Sequence, residues 1–292
     1  MRQLERGRKR SSPATAGLAV IRSAPRPERV DTRSRRRRVA RAPALALVAP
    51  SADEGMSDAV ELQRGLLPRV PLERGALRVS GDVLGSRRAS GDHFDVLDGP
   101  GGRTSIFVVD IAGHGVAAAL IGAAAREALR VALGQGASLE EAASALESCL
   151  EAHGDVCRAT AAFAMVRFSA DASLVEVMNA GLPPVTLVHD GHTIAEVPSG
   201  SMPAGFARGA EHPCQVLRVA AGALVVVASD GATRGALDAV GMAALVATLM
   251  AELPDPAGAS AEAVREAMRV HLGYGAPADD ATVVIASRSE RP

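Results

Sequence analysis

The 292-residue chain reads as an α+β protein, a four-layer α-β-β-α sandwich of two mainly antiparallel sheets flanked by helix pairs. Three observations lead there. The periodic segments come in the order strands, two helices, many strands, two helices, one strand. Tight turn signals, Gly99-Pro100-Gly101-Gly102 and Asp190-Gly191, join successive strand-like runs without room for a crossover helix, so neighbouring strands run antiparallel. Two separate helix pairs need two sheet faces to cover, and a pair of packed sheets offers them.

Composition sets the outer bounds. A hydrophobic content of 48% is ample for a core. The net charge of −1 hides a division, because residues 1–42 carry 14 Arg or Lys against 3 Asp or Glu, leaving 18 basic and 30 acidic residues in the remainder. An acidic body with no Trp, one Tyr and five Phe offers neither the field nor the stacking surfaces for nucleic acid. Three widely spaced cysteines, Cys149, Cys157 and Cys214, suggest neither a disulfide framework nor a zinc knuckle, and a reducing cytoplasm is the expected location. No apolar stretch escapes charge long enough to span a membrane, and no apolar segment follows the basic start as a secretory signal requires.

Taken in order, residues 1–50 mix arginines with Pro, Ser and Ala, and we read them as a disordered Arg-rich tail. A transit peptide, a tether to nucleic acid or membrane surface, and a patch that docks on the acidic body are the rival readings. Residues 51–70 form a lead-in linker helix, with Val60, Leu62, Leu66 and Leu67 at roughly helical spacing and a stop at Pro68. It serves either to pack on the body or as a regulatory linker through which a homodimer forms. Residues 71–292 make the main domain.

Within that domain, polar–apolar alternation over 76–98 predicts strands interrupted at Ser90-Gly91-Asp92, and the β-branched run 106–109 predicts a buried strand ending at Asp110. The Gly113-His114-Gly115 turn then releases into an Ala-rich helix over 116–133. Ser138-Leu139-Glu140-Glu141 is a capping box that opens a second helix, expected to reach His153 and stop at Gly154. Strands follow at 160–168, 174–178, 185–189, 193–197, 215–219 and 224–228, then helices at 240–252 and 261–272, and a last strand at 282–286.

Acidic residues recur where strands end beside Gly or another Asp: Asp92, Asp110, Asp230 and Asp279-Asp280. Oxygen-only donors suit Mg²⁺ or Mn²⁺ rather than zinc. Carboxylates that converge without a cation repel one another, whereas two ions about 3.5–4 Å apart relieve that conflict and activate water for in-line attack on phosphorus. The Gly-rich turn at 113–115 also points backbone N–H groups and a helix N-terminus toward this corner.

The segments Ser90-Gly91-Asp92-His93-Phe94-Asp95, Val109-Asp110-Ile111-Ala112-Gly113-His114-Gly115, Asn179-Ala180-Gly181-Leu182-Pro183-Pro184, Ala228-Ser229-Asp230-Gly231 and Asp279-Asp280-Ala281-Thr282 resemble the SpoIIE/RsbU branch of the metal-dependent protein phosphatases, relatives of protein phosphatase 2C. The lead-in Gln63 to Pro68 is similar to that branch as well. The resemblance implies a serine/threonine phosphatase of the bacterial partner-switching type, with two Mn²⁺ or Mg²⁺ ions per site and a phosphorylated regulatory protein, an anti-sigma-factor antagonist, as substrate. It implies that Asp110 bridges both ions with help from the Ile111 carbonyl, that Asp92 serves the second ion, and that Asp230 and Asp279 hold the first, with Asp280 as second choice. A catalytically weak binding module of the same fold is the alternative. Ser90 in place of a usual Gly, His93 in place of an aromatic and Leu182 in place of a frequent His depart from the family pattern. His114 and His93 are each read either as acid catalysts or as structural, and Arg87-Arg88 either as phosphate receptors or as solvated surface.

Overall fold

The computed structural model describes residues 52–86, 89–157, 159–207, 209–275 and 277–289. The expected tail at 1–50 and the Arg87-Arg88 pair lie outside the described residues. The first helix, α1 (Ala52–Leu66), starts earlier than its apolar spacing predicts and ends before Pro68. One sheet has the strand order β1 (Leu72–Arg74), β2 (Leu77–Leu84), β11 (Ala281–Arg288), β10 (Leu224–Ala228), β7 (Val185–His189), β8 (His192–Val197). The other runs β3 (Asp92–Asp98), β4 (Thr104–Ile111), β5 (Ala161–Phe168), β6 (Leu174–Ala180), β9 (Cys214–Arg218). Every ladder between these strands is antiparallel. Helices α2 (Val116–Gly134) and α3 (Leu139–Cys157) cover the second sheet, and α4 (Ala239–Glu252) and α5 (Ala261–Leu272) cover the first.

Local chemistry explains the main boundaries. The capping box forms as the sequence predicts: Ser138 N–H donates to Glu141 Oε2 at 2.8 Å, and Glu141 N–H donates to Ser138 Oγ at 3.1 Å. Asp190 and Gly191 turn the β7–β8 hairpin with φ of 51° and 73°, both left-handed as a tight hairpin demands. Other boundaries differ from expectation. Helix α3 runs through Gly154 to Cys157; a glycine inside a helix costs only about 1 kcal/mol relative to Ala and does not by itself end it. Strand β4 continues through Asp110 to Ile111, because β5 offers Ala162 and Ala161 as ladder partners there.

Period-2 alternation divides the apolar side chains into three layers. On β4, Ile106 and Val108 pack between the two sheets, while Phe107 and Val109 face α2 and α3. On β3, Phe94 and Val96 lie in the inter-sheet layer. Val225 and Val227 of β10 and Val284 and Ala286 of β11 meet them from the opposite sheet. The same alternation carries Asp92, Asp110, Ser229, Asp280 and Thr282 onto the inner faces, at one end of that apolar layer.

Candidate metal centre

Asp92 and Asp110 are direct cross-strand partners in the β3–β4 ladder. Paired side chains of this kind leave the same face of a sheet with Cβ atoms about 5 Å apart. Gly91, just before β3, permits the close approach of the two strands: a Cβ there would stand 2.8 Å from the Ile111 carbonyl oxygen. That carbonyl, expected to serve as a ligand, is therefore at the carboxylate end of β4 beside Gly91.

Asp92 is fully buried. Its Oδ2 accepts hydrogen bonds from Ser229 Oγ at 2.7 Å and Thr282 Oγ1 at 2.6 Å, both from the opposite sheet. Ser229 and Thr282 also bond each other through backbone, Ser229 N–H to Thr282 O at 3.0 Å, and Thr282 N–H donates to Ser229 Oγ at 2.9 Å. This network stitches the two sheets together at the site and aims the other oxygen of Asp92. That oxygen, Oδ1, is buried without a hydrogen-bond partner, as is Oδ1 of Asp230.

Asp230 opens a 3₁₀ turn, Asp230–Thr233, directly after β10. Gly231 makes its position feasible, since a Cβ at 231 would fall 2.0 Å from the Asp280 carbonyl oxygen. Asp279 is exposed, and its Oδ1 accepts from Asp280 N–H at 2.8 Å. The carboxyl of Asp110 lies close enough to those of Asp92 and Asp230 for their charges to act on one another.

The electrostatics follow from that crowding. Burial, reinforced by the charges of Asp230, Asp279 and Asp280, pushes the Asp110 carboxyl up to about 7. Burial first and the Asp110 charge second push Asp92 well above the usual carboxylate range, and burial with Asp279 raises Asp230. Without a counter-charge such crowding favours the protonated carboxyls; a divalent cation would supply that charge, and the two orphaned, buried oxygens are the donors it would satisfy. The donor set thus fits hard cations, although among the described residues no three acidic, His or Cys side chains already stand at the spacing of a closed cage.

Asp280 has a different task from its neighbour. Its Oδ1 accepts from Ser86 N–H at 2.7 Å and its Oδ2 from Gly91 N–H at 2.9 Å. Both oxygens therefore pin the loop that leads into Asp92. His93 is buried between Gln63 of α1 and Gly122 of α2, where a Cβ at 122 would meet its Cδ2 at 2.3 Å. Burial lowers its pKa to about 4, so it is a neutral packing group. His114 is exposed on the turn before α2. Asn179 holds the β6–β7 connection by donating to Leu182 O, Pro183 O and Val197 O, which makes its motif a structural one.

Sequence reasoning missed Ser229 and Thr282 as supports, and it quoted Gln63 only as part of a motif. Gln63 donates to Ser90 O at 2.6 Å and accepts from Ser90 N–H at 2.7 Å, so α1 clamps the segment that carries Asp92. The adjacency of Ser229 to Asp230 and of Thr282 to the Asp pair was the available signal.

With this geometry in place, comparison with known proteins is decisive for the family. The family profile described as Stage II sporulation protein E (SpoIIE) matches residues 100–289. The chain belongs to the SpoIIE family. Comparison with curated protein sequences finds no match. Among solved structures, this SpoIIE-family chain is similar to the RsbU and RsbW domains of a Mycobacterium tuberculosis protein, with 24% identity, a TM-score of 0.62, and coverage of 77% of this chain and 63% of that one. It is similar to the PP2C phosphatase domain with a regulatory fragment of SpoIIE from Bacillus subtilis, at 18% identity and TM-score 0.57, covering 74% and 64%. It also resembles the catalytic domain of the serine/threonine phosphatase PstP in complex with two manganese ions, at 18% identity and TM-score 0.55, covering 73% and 99%. The chain thus spans less than two thirds of the first two structures' own length, and the shared fold is the PP2C type. No helix among the described residues is long and apolar enough to cross a membrane.

Proposed function

We propose that this SpoIIE-family chain is a metal-dependent phosphatase that removes phosphate from a phosphoserine or phosphothreonine of a regulatory protein, of the anti-sigma-factor-antagonist type, in the cytoplasm. The observation that carries the reading is the meeting of Asp92, Asp110 and Asp230, from three separated segments, with two buried carboxylate oxygens left without partners.

Asp92, Asp110 and Asp230 would hold two Mn²⁺ or Mg²⁺ ions, with Asp279 on the open side and the Ile111 carbonyl at the strand end. Such ions would supply a lowered water pKa and positive charge to offset that building on phosphoryl oxygens. Ser229 and Thr282 orient Asp92 so that one oxygen stays available. Asp280 and Gln63 fix the loop that carries Asp92 from both sides. Beside the carboxylates a cleft of about 520 Å³, lined by Asp230, Arg234, Leu272 and Asp279, leaves room for the phosphorylated segment. In the same reading residues 71–292 form the catalytic domain, and the exposed Leu62 and Leu66 of α1 pair with a second copy.

The test is release of phosphate from phosphorylated antagonist proteins, with Mn²⁺ present and then chelated. Activity that depends on the metal and disappears in Asp110→Asn and Asp230→Asn supports the proposal. Full activity of both variants at saturating metal overturns it, and binding of the phosphoprotein without turnover favours the catalytically weak module.

A further inference from the structure

Aromatic side chains are scarce in this chain, with one Tyr, five Phe and no Trp. Phe94, Phe107, Phe163 and Phe168 are at most 1% exposed and fill the apolar layers on the two faces of the sheet that carries Asp110. The remaining two, Phe206 and Tyr274, are 63% and 69% exposed, and they stand on the loops that flank the carboxylates. The loop of Phe206 is pinned to the carboxylate end of its sheet. Ala204 and Ala161 exchange two backbone hydrogen bonds, at 2.8 and 3.0 Å, and Ala161 is in turn the ladder partner of Ile111. Ala204 therefore lies two strand spacings, about 10 Å, from Ile111. Gly205 N–H donates to Glu147 Oε2 at 2.9 Å, and a Cβ at 205 would stand 2.5 Å from the Ala159 carbonyl oxygen. With the loop held against β5 and α3 in this way, Phe206 and the half-exposed Met202 project from a fixed base.

Tyr274 belongs to the other sheet's side of the site, on the connection from Leu272 to Asp279, both of which line the cleft beside Asp230. Its φ of 60° is left-handed, a conformation unfavourable for a bulky side chain. Its N–H, donated to Arg269 O at 2.8 Å, holds it there. A ring that is 69% exposed gains little from burial within the chain, so neither the backbone strain nor the exposed ring stabilises the fold. Strain kept where it does not help the fold points to a role outside it.

Aromatic side chains on a fixed base are the usual anchors of protein interfaces. Because these two bracket the carboxylates, the molecule that covers them is the one whose phosphate reaches the centre. We propose that Phe206 and Tyr274 anchor the phosphorylated protein on either side of its modified residue, each receiving an apolar side chain from the flanking sequence. The inference rests on the phosphatase reading above and adds what that reading lacks. The carboxylate centre reads only the phosphate, whereas the two anchors select the sequence around it.

The experiment uses the full chain with Mn²⁺ and compares a phosphoserine peptide carrying leucines two to four residues to either side, the same peptide with serines in their place, and p-nitrophenyl phosphate. Wild type should favour the leucine peptide over the serine peptide by at least about tenfold in kcat/KM. Phe206→Ser combined with Tyr274→Ser changes two exposed positions. It should lower the ratio of kcat/KM on the leucine peptide to that on p-nitrophenyl phosphate by the same factor, and Tyr274→Phe should keep the ratio. Tyr274→Gly should lose it while raising Tm, since glycine adopts the left-handed backbone without strain. Binding is read separately in EDTA, where turnover is absent. Tyr274 is the single tyrosine of a chain without tryptophan, so tyrosine emission reports its own surroundings, and it should change saturably with the leucine peptide and not with the serine peptide. That change in EDTA, without hydrolysis of any substrate in Mn²⁺, supports the anchors and overturns the phosphatase reading. Equal kcat/KM of wild type on the two peptides, an unchanged ratio in the double variant, or emission that responds only to anionic lipid vesicles or to concentrating the chain itself overturns the proposal.

Discussion

Replacing Asp110 by Asn tests the electrostatic account of the site most directly. In the metal-free protein the folded state holds the Asp110 carboxyl at about 7, whereas the unfolded chain titrates it near 3.8. The folded state therefore binds the extra proton, and stability is lost as pH rises through the window between those values. At about 1.4 kcal/mol per tenfold change in proton affinity, the charged form costs the fold at most about 4 kcal/mol at pH 8. Asn keeps the shape and carries no charge. The metal-free Asp110→Asn protein should consequently be more stable than wild type at pH 8, by up to about 4 kcal/mol, and the gap should shrink as pH falls toward 4. Urea unfolding of both proteins in EDTA at pH 8 and pH 5 measures the difference, and subtracting the two cancels the titrating groups that Asp110 does not touch. Adding Mn²⁺ should reverse the order, stabilising wild type and leaving the variant nearly unchanged. A variant equally destabilised at both pH values would refute the crowding argument, as would a variant whose advantage does not depend on pH.

Three further outcomes are expected. Gly231→Ala should destabilise by about 1–3 kcal/mol or more in urea unfolding, because its Cβ has only 2.0 Å to the Asp280 carbonyl oxygen and backbone must shift. Asp280→Ala should lower metal-free stability by about 2–4 kcal/mol through loss of two charge-assisted hydrogen bonds to backbone, whereas Asp279→Asn should change stability little and lower Mn²⁺ affinity in a thermal-shift titration. Ser138→Ala should cost about 1 kcal/mol with no effect on phosphate release, since it removes only the cap of α3.

Much of the fold was legible because the signals were local. Val185–His189, Leu224–Ala228 and Ala261–Leu272 fall where β-branched runs, hairpin residues and helical spacing put them. The short β1 was missed, since three residues beside a lead-in helix carry no readable period. Gly154 misled because one residue's propensity is a weak signal for where a helix ends. Asp92 and Asp110 could be paired from the sequence alone, as one hairpin separates them and alternation sets their face.

The partners of those two could not be read the same way. Ser229 and Thr282 belong to the other sheet, 137 and 190 residues from Asp92, and no local rule says which end of one sheet lies over which end of the other. The amino-acid sequence by itself determined the strands and helices, their antiparallel pairing, and the placement of aspartates beside glycines where strands end. Only tertiary structure decided that Asp280 braces a loop, that His93 is sealed between helices, and that two carboxylate oxygens remain without partners. Backbone preferences act over a few residues, whereas desolvation and charge depend on which distant side chains the packed sheets bring together.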